Sequence, residues 1–222
     1  KAVFDYKLIE DGDNILIGAS GGKDSTALIE YFAARKKQNR ENFNFACLHV
    51  ETEIGSPLSK GLLDLFHKWD VEPIIIKVDV LGRLKPGKKM NCWWCSTQRR
   101  TELNNYAIEK GFNKIALGHH LDDILETLLM NMINKGELST MPPRLKYNQY
   151  PVTIIRPLCM ADEQTIIQHA NNAGYICDTC TCNYQDNSGR KKARSKLQDL
   201  TQGSPLEKRR IFESLKNIRT EY

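Results

Sequence analysis

The chain predicts an α/β domain built on a doubly wound, mostly parallel sheet, and three observations carry that prediction. Apolar runs of strand length recur at Asn14–Ala19, Asn44–Glu51, Pro73–Val80, Lys114–His120 and Val152–Leu158. Helix-patterned segments separate them, and such βαβ alternation favours a parallel sheet with both faces covered. At 222 residues the chain suits one domain with a sizeable core rather than two.

The first strand runs into Ser20-Gly21-Gly22-Lys23-Asp24-Ser25 and then into a helix that carries Ala27, Leu28, Tyr31 and Phe32 on one face. Adjacent glycines let the backbone turn tightly and bring amide hydrogens against an anion, and the helix N-terminus adds partial positive charge. Lys23 and the hydroxyls of Ser20 and Ser25 complete a phosphate cradle. The Gly-x-x-x-x-Gly-Lys-Ser/Thr spacing is absent, because Asp24 follows Lys23 and no glycine stands five places before Gly22. That argues against an ordinary Walker-type NTPase.

In doubly wound sheets the ligand lies beyond the carboxyl ends of the strands. The second strand ends at His49, Val50 and Glu51, whose backbone could hold an adenine edge, and the fourth ends at Gly118, His119 and His120. The imidazole of His49 itself reads as an ordinary strand-end side chain. Leu121–Lys135 is the clearest helix, with Leu121, Ile124, Leu125, Leu128, Leu129, Met132 and Ile133 at spacings of three and four, and it stops before Gly136. Asp122, Asp123 and Glu126 gather on its first turns. Beside a nucleotide loop they suit Mg²⁺ ligation or proton removal, although carboxylates also favour helix starts for the dipole alone.

Seven cysteines in this chain point to metal or redox chemistry rather than disulfides if the compartment is reducing. No run of eighteen apolar residues and no leader pattern is present, so the expectation is a soluble cytoplasmic protein with no membrane partner. The chain does not begin with Met, which suggests that residues precede Lys1. Cys92-Trp93-Trp94-Cys95 lies among Arg83, Lys85, Lys88, Lys89, Arg99 and Arg100, and Cys177, Cys180 and Cys182 precede a second cluster, Arg190-Lys191-Lys192-Ala193-Arg194-Ser195-Lys196. Cations neutralise phosphates and tryptophan faces can stack on unpaired bases. The same tryptophans could instead be core anchors, and the charges a solvated face. The formal net charge of +5 is too mild to prove a nucleic-acid partner, but beside the cluster at Cys92 the run at 190–196 reads as a phosphate-binding stripe. A Cys-x-x-Cys pair among cations suits metal or persulfide chemistry.

Ser20–Ser25 resembles the PP-loop of the ATP pyrophosphatases, which split ATP between the α and β phosphates. Five further segments extend the likeness: Cys-x-x-Cys before Arg99-Arg100, Gly118-His-His-x-Asp-Asp-x-x-Glu126-Thr127, Met141-Pro-Pro-Arg-Leu145, Ile155-Arg-Pro-Leu158 and a late cysteine. Together they resemble the tRNA 2-thiocytidine synthetases (TtcA) across roughly Phe4 to Leu197. The related 2-thiouridine synthetases (TtuA) share the PP-loop and three cysteines. The resemblance implies a Rossmann-like fold of the adenine nucleotide α-hydrolase type. The whole chain would then be one PP-loop domain, with a cysteine-bearing insertion at about 83–100 and a basic, cysteine-rich segment at about 175–222.

It further implies ATP, Mg²⁺, a tRNA substrate, a sulfide or persulfide donor, a homodimer and a [4Fe-4S] cluster on three cysteines. Cys92, Cys95 and Cys182 are the expected ligands, with Cys180 second for the last place. ATP would sit on Ser20, Gly21, Gly22, Lys23, Asp24, Ser25, His49, Val50 and Gly118, and Lys23, Asp122, Asp123 and Arg99 would serve the reaction. The paired tryptophans inside Cys-x-x-Cys depart from the family pattern. Two other readings stay open: an amine-using synthetase of the same ATP chemistry, and a non-catalytic nucleotide-binding module with a structural Cys₄ zinc site.

Overall fold

The computed structural model describes residues 1–147, 150–175 and 188–219. Six strands form one sheet in the order β3-β2-β1-β4-β6-β5. They are β1 (Asn14–Gly18), β2 (Asn44–Thr52), β3 (Pro73–Val78), β4 (Lys114–Ala116), β5 (Arg144–Lys146) and β6 (Thr153–Ile155). All pairings are parallel except β5 with β6, which is antiparallel. The doubly wound, mostly parallel sheet expected from the sequence is therefore present, with one short edge strand added from a stretch that reads as a loop.

Residue parity along β1 divides the core. Ile15 and Ile17 face α2 (Lys23–Lys37) and α3 (Lys60–Lys68), packing with Leu28, Phe32, Phe43, Leu62 and Phe66, all at most 1% exposed. Leu16 faces the other way, with Leu48, Ile115 and Ile154 and with Leu103 and Ala107 of α4 (Cys92–Glu109). Alternation along a strand with period two makes this two-sided burial possible. A third cluster joins Ile124, Leu125 and Leu128 of α5 (Leu121–Lys135) to Leu197 of α7 (Ser188–Thr201) and Phe212 of α8 (Pro205–Ser214).

α5 spans the predicted residues one for one. It stops at Gly136, whose φ of 68° closes the helix in the left-handed conformation that glycine adopts without strain. Its start is a reciprocal capping box, in which the His120 side chain accepts from Asp123 N–H while the Asp123 carboxylate accepts from His120 N–H. α6 (Glu163–Asn172) is capped by Asp162, which accepts from Thr165 N–H at 2.9 Å. Residues 92–100, read from sequence as part of an insertion, form the first half of the continuous helix α4. Among the described residues no helix is long and apolar enough to cross a membrane.

Candidate active site

The strand order reverses between β1 and β4, so the crevice beyond their carboxyl ends is where this topology places a ligand. The loop after β1 and the Gly118–His120 turn after β4 flank it. They approach so closely that a Cβ on Gly118 would stand 3.0 Å from the backbone of Asp24 and Ser25, a contact only glycine permits.

The loop itself is held by its own hydroxyls. Ser25 Oγ accepts from Ser20 N–H at 3.2 Å, lies 3.0 Å from Ser20 Oγ and donates to Gly22 C=O at 3.0 Å. Gly21 has φ 85°, and Gly22 is the extended N-cap of α2 with no side-chain cap. Helix N–H groups at such an uncapped start are the ones an anion satisfies.

Lys23 reaches Asp24 at 3.2 Å and Glu163 of α6 at 3.1 Å. Burial favours its neutral amine, but the two carboxylates outweigh that and raise its pKa, so it stays an ammonium. Glu163 was not anticipated from sequence. It lies 140 positions away and carries no local signature.

A cavity of about 230 Å³ opens beside the loop. Leu48, Val50, Leu103 and Leu117 give it apolar walls, while Ser20, Arg99, Arg100 and His119 supply polar groups. An apolar slot for a base next to oriented donors is the usual form of a nucleotide pocket. Arg99 Nε is buried without a hydrogen bond, and among the described residues neither Arg99 nor Arg100 has an ion-pair partner. Two guanidiniums left uncompensated at one cavity favour an anionic occupant.

Val50 lines this cavity as expected, but the imidazole of His49 does not. Strand alternation turns His49 to the opposite face, where it is 2% exposed and its Nδ1 lies 2.7 Å from Ala19 C=O. It ties β2 to the entrance of the loop.

The carboxylates on α5 separate in role. Asp122 accepts from Glu163 N–H at 2.8 Å and pairs with Lys208 of α8 at 2.6 Å, so it fastens α6 and α8 to α5 rather than facing the cavity. Its expected place among the reacting groups has no contact with the cavity lining behind it. Asp123 stays on the crevice side. His120 Nδ1 accepts from Asp123 N–H, which leaves the ring proton on Nε2; that atom is 3.4 Å from Asp123 Oδ2 and 3.9 Å from Asp24 Oδ1. One imidazole thus draws together a carboxylate from each of the two helix starts.

Glu126 is buried, which pushes its carboxyl pKa up, and the Arg194 guanidinium at 2.7 Å pulls it back. Arg190 pairs with Asp123 at 3.1 Å. The run Arg190–Lys196 is therefore no uniform phosphate stripe. Its two arginines, four apart, pair with carboxylates on α5 while staying about half exposed, and Lys191, Lys192 and Lys196 are exposed without an ion-pair partner among the described residues.

His119 accepts from Arg156 Nε at 3.3 Å through Nδ1, and Arg156 also donates to Pro142 C=O at 2.6 Å. The Met-Pro-Pro loop is pinned to the cavity through this arginine. Burial, followed by the Arg156 charge, pushes the His119 pKa down to about 4. Its folded value lies below the usual 6.5, so the unfolded chain takes up the proton first and stability falls as pH drops from 6.5 towards 4. Between pH 7 and pH 5 the expected loss from this residue is about 2 kcal/mol. Urea unfolding of the wild type and of His119→Asn at both pH values checks this; an equal pH slope in the two proteins would exclude it.

Cys92 and Cys95 occupy the first turn of α4, where Asn91 caps the helix by accepting from Trp94 N–H at 2.9 Å. Both are half-buried. Helical spacing puts Cys92, Cys95, Ser96, Arg99 and Leu103 on one stripe, and the last three line the cavity. The cysteines stand about one turn, ~5 Å, above it. Among the described residues no three His, Cys, Asp or Glu side chains form a metal site. The expected third ligand Cys182, with its rivals Cys177 and Cys180, lies outside the described residues.

This loop, crevice and strand order define an α/β nucleotide-binding protein of the PP-loop class. The chain matches the PP-loop domain family over residues 3–200. It is 34% identical to the tRNA-cytidine(32) 2-sulfurtransferase of Cupriavidus necator, with 98% of this chain and 71% of that one covered. The enzyme of the same description from Dechloromonas aromatica is 33% identical, with 98% and 77% covered. The structure resembles the U34-tRNA thiolase NcsA from Methanococcus maripaludis, solved with its [4Fe-4S] cluster, at a TM-score of 0.74 and 25% identity, covering 97% of this chain and 76% of that one. The chain belongs to the PP-loop family, on the branch of the tRNA 2-thiocytidine synthetases.

Proposed function

We propose that the protein thiolates tRNA at the C2 position of a pyrimidine, cytidine foremost, at the expense of ATP. The observation that carries this reading is the single stripe on α4, along which two half-buried cysteines lead directly to Arg99 and the nucleotide cavity. ATP rests its base among Leu48, Val50, Leu103 and Leu117 and its phosphates on the Ser20–Ser25 amides and Lys23. The C2 carbonyl oxygen of the pyrimidine attacks the α-phosphorus, the bond to the β-phosphate oxygen breaks, and pyrophosphate leaves. Hydrosulfide then adds at C2, its proton is lost to solvent, and AMP departs with the former carbonyl oxygen.

Lys23 and the loop amides stabilise charge that grows on the phosphates, because they are oriented before the reaction starts. Arg99 and Arg100 offset the polyanion and the adenylate. Asp123 with Asp24 is the carboxylate pair suited to Mg²⁺, a hard cation that takes oxygen ligands. Neutral His119 keeps a ring N–H available as a donor without adding charge.

Cys92 and Cys95 fit the cluster implied by the family. They are half-buried thiols on one turn, at a helix N-terminus whose dipole favours bound negative charge. When bound on three cysteines, a [4Fe-4S] cluster supplies one iron without a protein ligand, at which sulfur can be presented. Cys182 is the third ligand in this reading, a homodimer the assembly, the cytoplasm the compartment and a sulfide or persulfide carrier the donor.

Anaerobic turnover with α-labelled ATP and a tRNA transcript tests the scheme. The expected products are AMP and pyrophosphate, in step with a thiolated pyrimidine found by nucleoside mass spectrometry. Formation of ADP would exclude adenylation.

A further inference from the structure

We propose that the recess beside Trp93 docks an unpaired nucleotide of the RNA, next along the strand from the nucleotide held in the cavity at the PP-loop. The proposal rests on the tRNA-thiolation reading and adds to it a second, separate contact site.

The two tryptophans of Cys-Trp-Trp-Cys have opposite environments. Trp94 donates its Nε1–H to Val80 C=O at 2.9 Å and is half-buried, so it anchors α4 to the end of β3. Trp93 is 71% exposed. A recess of about 360 Å³ is lined by both tryptophans together with Leu84, Lys85, Lys88 and Lys89. Lys88 N–H donates to Lys85 C=O at 3.0 Å, and Gly87 has φ 77°, so a tight turn presents these lysines together.

Charge identifies the occupant. Among the described residues Lys85, Lys88 and Lys89 have no ion-pair partner, whereas their neighbour Arg83 is taken up by Glu102 at 2.6 Å. An exposed aromatic face ringed by three uncompensated ammonium groups matches a base with its phosphates. A duplex would hide the base faces, so the occupant is unpaired. Position gives the connection to the chemistry. Trp93, Ser96 and Arg100 stand at i, i+3 and i+7 on α4, and the latter two line the cavity. Seven residues at 1.5 Å each place Trp93 about 10 Å along the helix from Arg100.

The test uses the full chain loaded anaerobically with its cluster. Binding of an unstructured RNA oligonucleotide and of a blunt duplex of equal length is measured by fluorescence anisotropy for the wild type, W93A, W93F and K88A/K89A. W93A is expected to bind the single strand about tenfold more weakly or worse, with duplex binding unchanged and W93F near wild type. K88A/K89A should flatten the plot of log affinity against log salt by about 1.4.

Trp93 adjoins Cys92, so the cluster's visible absorbance is read on each variant. K88A/K89A, which lies in the turn before α4 and leaves Asn91, Cys92 and Cys95 untouched, carries the test if W93A loses the cluster. Wild-type affinity in both W93A and K88A/K89A, or equal loss for single strand and duplex in W93A, overturns the proposal while thiolation by the wild type stands. A wild type that binds no RNA overturns the thiolation reading itself.

Discussion

Replacing Lys23 with alanine is expected to lower AMP formation at saturating ATP by about a hundredfold or more while leaving the fold intact. Removal of one preorganised donor from a developing negative charge costs on the order of 10²–10³ in rate, and Lys23 is the one ammonium on the loop. Its cost in stability is small. The Lys23 side chain is 25% exposed and its partners Asp24 and Glu163 are 30% and 24% exposed, so solvent screens these pairs to within about 1 kcal/mol. Steady-state pyrophosphate release, with circular dichroism and cluster absorbance as controls, measures both halves of the expectation.

The companion variant Glu163→Gln separates two uses of Lys23. In the structure Glu163 occupies the ammonium that the phosphates need, so glutamine should leave ATP affinity equal or tighter. Weaker ATP binding by Glu163→Gln would instead make Glu163 part of the nucleotide site. Unchanged turnover in Lys23→Ala would remove the loop lysine from the chemistry.

What the sequence made legible was local. The PP-loop announces itself through contiguous glycines, a lysine and serines, and α5 through seven apolar residues at helical spacing with a glycine stop, so both are where the sequence puts them. α4 is a different case. Only Leu103, Asn104 and Ala107 of its eighteen residues are buried, too few to leave a periodic stripe, and its first half looked like an irregular basic insertion. β5 escaped for a similar reason: three residues on the sheet edge, two of them exposed cations, give no apolar alternation.

The site residues that went unseen share one property, which is that their partners are distant in sequence. Glu163 meets Lys23 across 140 positions, Arg156 meets His119 across 37, and Arg194 meets Glu126 across 68. No spacing rule reaches that far. At 190–196, too, a count of charges does not reveal that Arg190 and Arg194 find carboxylates on α5. Asp122 and Asp123 look equivalent in sequence, yet one helical step of about 100° sends the first towards α8 and the second towards the crevice.

Serine at Cys92 or Cys95 is expected to abolish both the iron-sulfur absorbance and thiolation, whereas serine at Cys47 or Cys159 leaves the cluster in place. The four described thiols fall into two chemical classes. Cys47 and Cys159 are fully buried in apolar clusters, and burial pushes each thiol up to about 12, so neither is a thiolate at neutral pH. Cys92 and Cys95 are half-buried at the start of α4, two turns and one turn above Arg99 respectively. Metal ligation requires the thiolate, and only this pair is near the cavity that must receive sulfur.

At the third position Cys182→Ser should behave like the first pair, with Cys177→Ser and Cys180→Ser retaining cluster and activity. Anaerobic absorption, iron content and thiolated-nucleoside yield are read on each variant. A brown wild type with iron near four per chain excludes the structural zinc reading, because Zn²⁺ is colourless. Loss at Cys180 instead of Cys182 would move the ligand and keep the chemistry. A requirement for four separate cysteines would not, because four thiolates close the cluster and leave no iron free to present sulfur.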